Sequence, residues 1–171
     1  MDWLDIKEFI KDSLKYIIFI FAVLIIAIYV IGLQQVVGDS MDPSLKNNDV
    51  VIVDKLTHKF ISLKRGDIIS FYYDDTKYLV KRVIGLPGET LEIKDNKIYV
   101  NNEIINDYVE NIAMSDFDLD ELGYDVIPND MYFVLGDNRE NSLDSRDSRV
   151  GLIKKEDIIG KKFIRLWPIF R

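Results

Sequence analysis

The chain changes hydrophobic rhythm near residue 33. Tyr16–Leu33 is an unbroken run of 18 residues with no charge and no proline. As a helix it is roughly 27 Å long, enough to cross the hydrocarbon core of a bilayer. Ahead of it, Trp3, Ile6, Phe9, Ile10 and Leu14 recur at helical spacing. That pattern suits either a helix lying in the membrane interface or a continuation of the spanning helix. The division expected is 1–15 before the membrane, 16–33 across it and 34–171 beyond it. A cleaved leader is the rival, but its apolar stretch is usually only about 7–15 residues. The one weak cut signal, Val36-Val37-Gly38, stands just before a candidate catalytic serine, so an uncleaved anchor is favoured. Lys7, Lys11 and Lys15 precede the run, and Lys46 alone follows it closely. The positive-inside bias then puts the N-terminus in the cytoplasm and the rest outside.

From Val50 onward the pattern is that of strands. Val50–Val53, Asp67–Tyr73 and Tyr78–Ile84 are rich in β-branched and aromatic residues. Thr90–Ile93 and Lys97–Val100, joined across Lys94-Asp95-Asn96, read as a hairpin, and Asn101-Asn102 turns the chain again into Ile104-Ile105. Asp107–Asp125 is acidic and weakly periodic, an excursion or flexible loop. Met131–Leu135 is a buried strand candidate, Lys154–Gly160 a helical turn and Lys161–Trp167 a closing strand. Many strands without βαβ alternation predict a mainly β domain, a sheet or barrel, behind one N-terminal transmembrane helix.

Charge and composition narrow the chemistry. Twenty-two Lys and Arg against 29 Asp and Glu give a net charge of -7, the wrong balance for a nucleic-acid partner, which needs clustered cations. There is no cysteine and one histidine, His58, so thiolate catalysis and a Cys-based metal site are excluded. Asp118, Asp120 and Glu121 would hold Ca²⁺ weakly at best and read as a solvated acidic loop. No metal and no cofactor is implied.

Ser40, in Gly38-Asp39-Ser40-Met41-Asp42-Pro43-Ser44-Leu45, is a candidate nucleophile. A serine hydroxyl needs a base. His58 sits in an apparent connection between basic and apolar neighbours and reads as a surface residue. Lysine serves instead when burial keeps it neutral. Lys81, flanked by Leu79, Val80, Val83 and Ile84, suits that role, although taken alone it reads more readily as a solvent-facing lysine on an edge strand.

Four segments together settle the resemblance. Gly38–Leu45 resembles the serine box of bacterial type I signal peptidases, Arg65–Phe71 their next box, Lys81–Glu89 the lysine box and Gly136–Arg146 the last. They occur in order behind a single span, as in the Gram-positive form of that family. The resemblance implies a serine endopeptidase that removes signal peptides from secretory preproteins, cutting after small residues in an Ala-x-Ala pattern. It implies Ser40 as nucleophile, Lys81 as general base, and Ser142 hydrogen-bonded to the Lys81 amine. Asp144 and Arg146 would form a supporting ion pair. Met41 and Pro43 would shape the turn and the substrate pocket. Gly136, Asp137, Asn138 and Arg139 would hold the last box near the site, with solvated loop charge left open for Asp137 and Arg139. The backbone N–H of Ser40 would serve the oxyanion. Some family members add a serine hydroxyl two positions earlier; here that residue is Gly38, so a second donor falls to another amide or to water. The sequence Ser145-Arg146-Asp147-Ser148-Arg149 overlaps the last box; spacing from Gly136 favours Ser142 over Ser145.

Three rivals are weaker. A repressor-type Ser-Lys protease carries a DNA-binding module, which this chain replaces with an apolar span. The endoplasmic-reticulum-like signal peptidases have histidine at the position of Lys81. A non-catalytic anchored module that binds signal peptides or export machinery would be expected to lose Ser40 or Lys81. The partners expected are preproteins and membrane lipid, with the enzyme acting as a monomer at the cell membrane.

Overall fold

The computed structural model describes residues 3–74, 76–109 and 113–167. Parts of the N- and C-terminal segments and residues 110–112 of the acidic excursion lie outside that range. Helix α1, Trp3–Tyr29, is continuous, so residues 3–15 extend the apolar helix. It is the one helix among the described residues long and apolar enough to cross a membrane, and no residue of its most apolar window is buried. The helix ends four residues before the apolar run does. Ile31–Gln35 forms strand β1 instead, paired register by register with β2, Val50–Asp54, from Ile31 opposite Asp54 to Gln35 opposite Val50. The apolar residues Ile31 and Leu33 therefore belong to the sheet.

A short helix α2, Thr57–Phe60, follows β2. Then come β3, Ile68–Tyr72, and β4, Tyr78–Gly85. The hairpin β5, Leu91–Lys94, and β6, Lys97–Val100, turns at Asp95 and Asn96, both at positive φ, where a short polar side chain is tolerated best. Strands β7, Glu103–Ile104, β8, Phe117–Asp118, and β9, Met131–Leu135, lead to β10, Ile153–Lys154, and the long β11, Ile158–Trp167. Only Lys155–Asp157 of the expected helical turn is helical, as a single 3₁₀ turn. All pairings are antiparallel, in a seven-stranded sheet ordered β1-β2-β11-β3-β4-β9-β10 and a four-stranded sheet ordered β7-β6-β5-β8.

Strands β4 and β9 are buried on both faces. Ile84, Phe133 and Leu135 pack with Leu91, Ile93, Ile98 and Phe117 of the small sheet, while Val83, Tyr132 and Val134 pack with Ile69 and Phe71. Two-sided burial explains why β9 reads as a continuous apolar run without alternation, and why β4 is apolar on both sides of Lys81-Arg82. The acidic excursion is partly core: Met114, Phe117 and Leu119 are buried. Asp118 and Glu121, weighed above as weak calcium ligands, form a capping box on the 3₁₀ turn Leu119–Leu122. His58 is also not a surface residue, being 2% exposed.

Candidate active site

The turn carrying Ser40 is anchored from below. Met41 and Leu45 are fully buried against Val51, Val53 and Ile68, and the Asp42–Pro43 peptide is cis. Gly38 has φ +85, a conformation L side chains resist, and a Cβ there would meet open space. The turn is also tied from above. Asn138 N donates to the Ser40 carbonyl at 3.0 Å, and Asn138 Nδ2 donates to the Asp39 carbonyl at 3.2 Å. Gly136 lies so close that a Cβ would come within 2.5 Å of the Ser40 carbonyl and 2.1 Å of Ser142 Oγ. Among the described residues no acceptor meets the Ser40 N–H.

Strand β4 brings Lys81 to this turn. It lies opposite Ile69 of β3 and is 1% exposed. Its Nζ stands 2.6 Å from Ser40 Oγ. Burial pulls the amine down to about 8, against the opposing attraction of the Asp144 and Asp137 carboxylates. Near neutral pH roughly a tenth of the amine is then neutral and able to accept a proton, a share that grows as pH rises toward 8.

The last box surrounds the pair with buried charge. Arg146 Nε and Nη2 donate to the two oxygens of Asp144, each at 2.9 Å, and Asp144 Oδ2 accepts the Gly136 N–H at 3.0 Å. Asp137 is wholly buried and takes a two-pronged bond from Arg82, at 2.8 and 2.6 Å. Arg139 donates from Nε to the Gly136 carbonyl at 2.9 Å and from both terminal nitrogens to Asp107. The reading of Asp137 and Arg139 as solvated loop charge is therefore overturned. Ser145 is part of the scaffold: its Oγ accepts the Val134 N–H at 2.9 Å. Among the described residues Ser142 Oγ is buried without a hydrogen-bond partner, so the hydrogen bond expected to Lys81 is not made here. The amine points instead at Ser40.

Two contributors escaped the sequence. Arg82 also donates to the Gly66 carbonyl and to Ser44 Oγ, at 2.9 and 3.0 Å, and lies 5.0 Å from the Tyr108 ring centroid. It thereby ties the lysine strand to the serine turn. Asp107 pins the start of the acidic excursion to Arg139. Each is an ordinary charge whose partner lies tens of residues away, so no local pattern marks it.

Ser40 and Lys81 line a cleft of about 450 Å³ with Val36, Met41, Leu79, Val80 and Leu143 on its walls. Strand β9 pairs only with Arg82, Val83 and Gly85 of β4. Among the described residues Tyr78–Lys81 therefore keep one backbone edge unpaired, and these residues line the cleft.

The chain has counterparts among known proteins, in sequence and in fold. Residues 6–167 match the family "Signal peptidase, peptidase S26". The chain belongs to this family. Signal peptidase I S of Bacillus subtilis (strain 168) is 37% identical over 170 residues, covering 95% of this chain and 91% of that protein. Signal peptidase IB of Staphylococcus aureus is 35% identical over 177 residues, covering 92% and 91%. A crystal structure of a signal peptidase I from Enterococcus faecalis V583 superposes with a TM-score of 0.52 at 35% identity, over 58% of this chain and 96% of that one. Membership accounts for the mainly β architecture and for one apolar helix at the N-terminus, which fits a membrane-anchored signal peptidase.

Proposed function

We propose that this chain removes signal peptides from secretory preproteins, with Ser40 as nucleophile and Lys81 as general base. The observation that carries the reading is the 2.6 Å approach of a buried lysine amine to Ser40 Oγ. Neutral Lys81 takes the hydroxyl proton while Oγ bonds to the scissile carbonyl carbon. The Ser40 N–H faces the developing oxyanion. Collapse breaks the peptide C–N bond, and Lys81 returns the proton to the leaving amine. Lys81 then takes a proton from water as the hydroxide attacks the ester, the C–Oγ bond breaks, Lys81 returns that proton to Ser40 Oγ, and the product leaves as a carboxylic acid that ionises in water. Ser142 Oγ, buried and without a hydrogen-bond partner among the described residues, is a ready acceptor for the Lys81 ammonium once it forms. Asp144–Arg146 holds Gly136 against the serine turn.

The free edge of Tyr78–Lys81 suits an extended substrate that adds as a strand. The apolar walls of Val36, Met41, Leu79 and Leu143 favour small side chains, in keeping with an Ala-x-Ala preference. With α1 as the anchor and the lysine bias before it, the N-terminus is cytoplasmic and the catalytic domain extracytoplasmic. All reacting groups come from one chain, so a monomer suffices.

The test is cleavage of a preprotein bearing an Ala-x-Ala site by the full chain, in detergent and in lipid, with the new N-terminus sequenced. Cutting after the second alanine, absent in Ser40→Ala, is expected. No cut in either medium, or a cut retained in Ser40→Ala, would sink the proposal.

The base also fixes a pH dependence. Only the neutral amine accepts a proton, so kcat/KM should rise with pH and reach half its plateau near 8. The sign for stability agrees. Between about 8 and the ordinary lysine value of 10.5 the unfolded chain binds the extra proton, so Lys81's destabilising contribution is full below 8 and is relieved as pH rises. A low-pH limb centred near 6 or 10 would rule out Lys81 in this state as the base.

A further inference from the structure

The catalytic cleft is bordered by two strand edges, one on β4 and one on β1. On β4, the bonds from Tyr73 N to the Lys77 carbonyl and from Val83 N to the Asp67 carbonyl mark the residues that pair with β3. An antiparallel ladder uses alternate residues, so Tyr78 and Val80 turn their N–H and C=O groups to the other edge. On β1, the bonds from Lys55 N to the Val30 carbonyl and from Val36 N to the Asp49 carbonyl mark the residues that pair with β2. By the same alternation Ile31, Leu33 and Gln35 turn theirs outward. β1 is the terminal strand of its sheet, so no strand among the described residues pairs with that outer edge.

These two edges stand at opposite ends of the run β1-β2-β11-β3-β4. Yet Val36 and Val37, which follow β1 directly, line the same cleft as Tyr78–Lys81. The run therefore curls until its two ends face each other, and the gap between them is the substrate groove. A hydrogen bond crosses that gap: Tyr78 Oη donates to the Gln35 carbonyl at 2.7 Å. The acceptor belongs to the outward row of β1, the row that a peptide lying in the gap would pair with. Tyr78 lies three residues from Lys81, roughly 10 Å along the strand, so the crossing stands away from the reacting atoms and within the groove that leads to them.

We propose that Tyr78 is a strap across the groove that sets how tightly substrate is held: its hydroxyl occupies the Gln35 carbonyl in the free enzyme, and an incoming peptide displaces it with a backbone N–H. The inference rests on the peptidase reading above. Seating the peptide exchanges one hydrogen bond for another at this point, so the contact with β1 adds little to affinity. The exchange also selects for conformation. An extended segment has an N–H to offer, whereas a helical one has its N–H groups committed internally and leaves the strap closed.

The test compares Tyr78→Phe with the native full chain on a preprotein bearing an Ala-x-Ala site. Phenylalanine keeps the ring and removes the hydroxyl alone. With no strap to displace, kcat/KM should rise about two- to tenfold. The gain should fall in KM, because the strap is already open once substrate is bound and kcat does not depend on it. Damage to the wall of the groove would act the other way, so an unchanged or raised KM in a variant that melts like the native chain would overturn the inference. A second readout follows the hydroxyl itself. In the Ser40→Ala chain labelled with ¹³Cζ-tyrosine, the resonance missing from Ser40→Ala/Tyr78→Phe belongs to Tyr78. It should move when the uncleaved peptide binds. A resonance that stays in place while calorimetry shows the peptide bound would overturn the strap and leave the peptidase reading intact. A native chain that cuts no preprotein would remove that reading, and this inference with it.

Discussion

Lys81→Met should lose preprotein cleavage by a factor on the order of 10⁴–10⁶ in kcat/KM while keeping its fold. Methionine preserves most of the unbranched apolar stem, so the packing around residue 81, which is 1% exposed, is retained. What disappears is the amine 2.6 Å from Ser40 Oγ, and with it any group placed to take the hydroxyl proton. His58 is no substitute, since it lines a different cavity. Groups that act as a unit lose activity together, so Ser40→Ala should cost about as much and Ser40→Ala/Lys81→Met little more. Melting curves in detergent should show the methionine variant at least as stable as the native chain near pH 7, since it no longer buries a protonatable amine. Cleavage by Lys81→Met within tenfold of native would end the lysine-base mechanism. A double variant far below either single one would show that the two residues contribute independently.

How far the sequence disclosed this site depends on the range of each signal. Strands β2 to β6 and β9 were legible because β-branched and aromatic runs and the Asp95-Asn96 and Asn101-Asn102 turns are local patterns. The Ser40 and Lys81 segments were legible because the family's boxes are contiguous. The end of α1 was not, because Ile31 and Leu33 are as apolar in a strand as in a spanning helix, and hydrophobicity cannot separate the two. The core role of Met114, Phe117 and Leu119 was masked by the alternating Asp116, Asp118 and Asp120, which face outward from a short capped turn. His58 was misplaced because basic neighbours suggested solvent, whereas α2 turns its ring inward against β11. The charges were the least legible. Arg82, Asp137 and Arg139 look like surface residues until their partners arrive from other elements. Asp137 lies 55 residues from Arg82 in sequence, and Asp107 lies 32 from Arg139.

That remote pairing sets the second large effect. Asp137→Asn should destabilise the catalytic domain by about 3–5 kcal/mol, the usual cost of leaving a buried charge without its partner. For a domain of this size the melting midpoint should fall by roughly 6–20 °C. Asp137 is wholly buried, and Arg82 directs two of its nitrogens at it, so water cannot replace the lost carboxylate cheaply. Arg82→Met/Asp137→Leu should recover much of the loss, because a well-packed apolar pair avoids the desolvation of both ions. The recovery should be incomplete, since Arg82 also holds the Gly66 carbonyl and Ser44 Oγ. A double variant whose loss equals the sum of the two single losses would show that the pair carries no coupling energy. The same Asp137→Asn change has a second readout. The Asp137 carboxylate raises the Lys81 pKa through its charge, so removing it should favour the neutral amine and move the low-pH limb of kcat/KM to lower pH. A purely structural role for Asp137 would lower the amount of active enzyme and leave that limb in place. A shift of the limb toward acid would tie the buried ion pair to the proton affinity of the base.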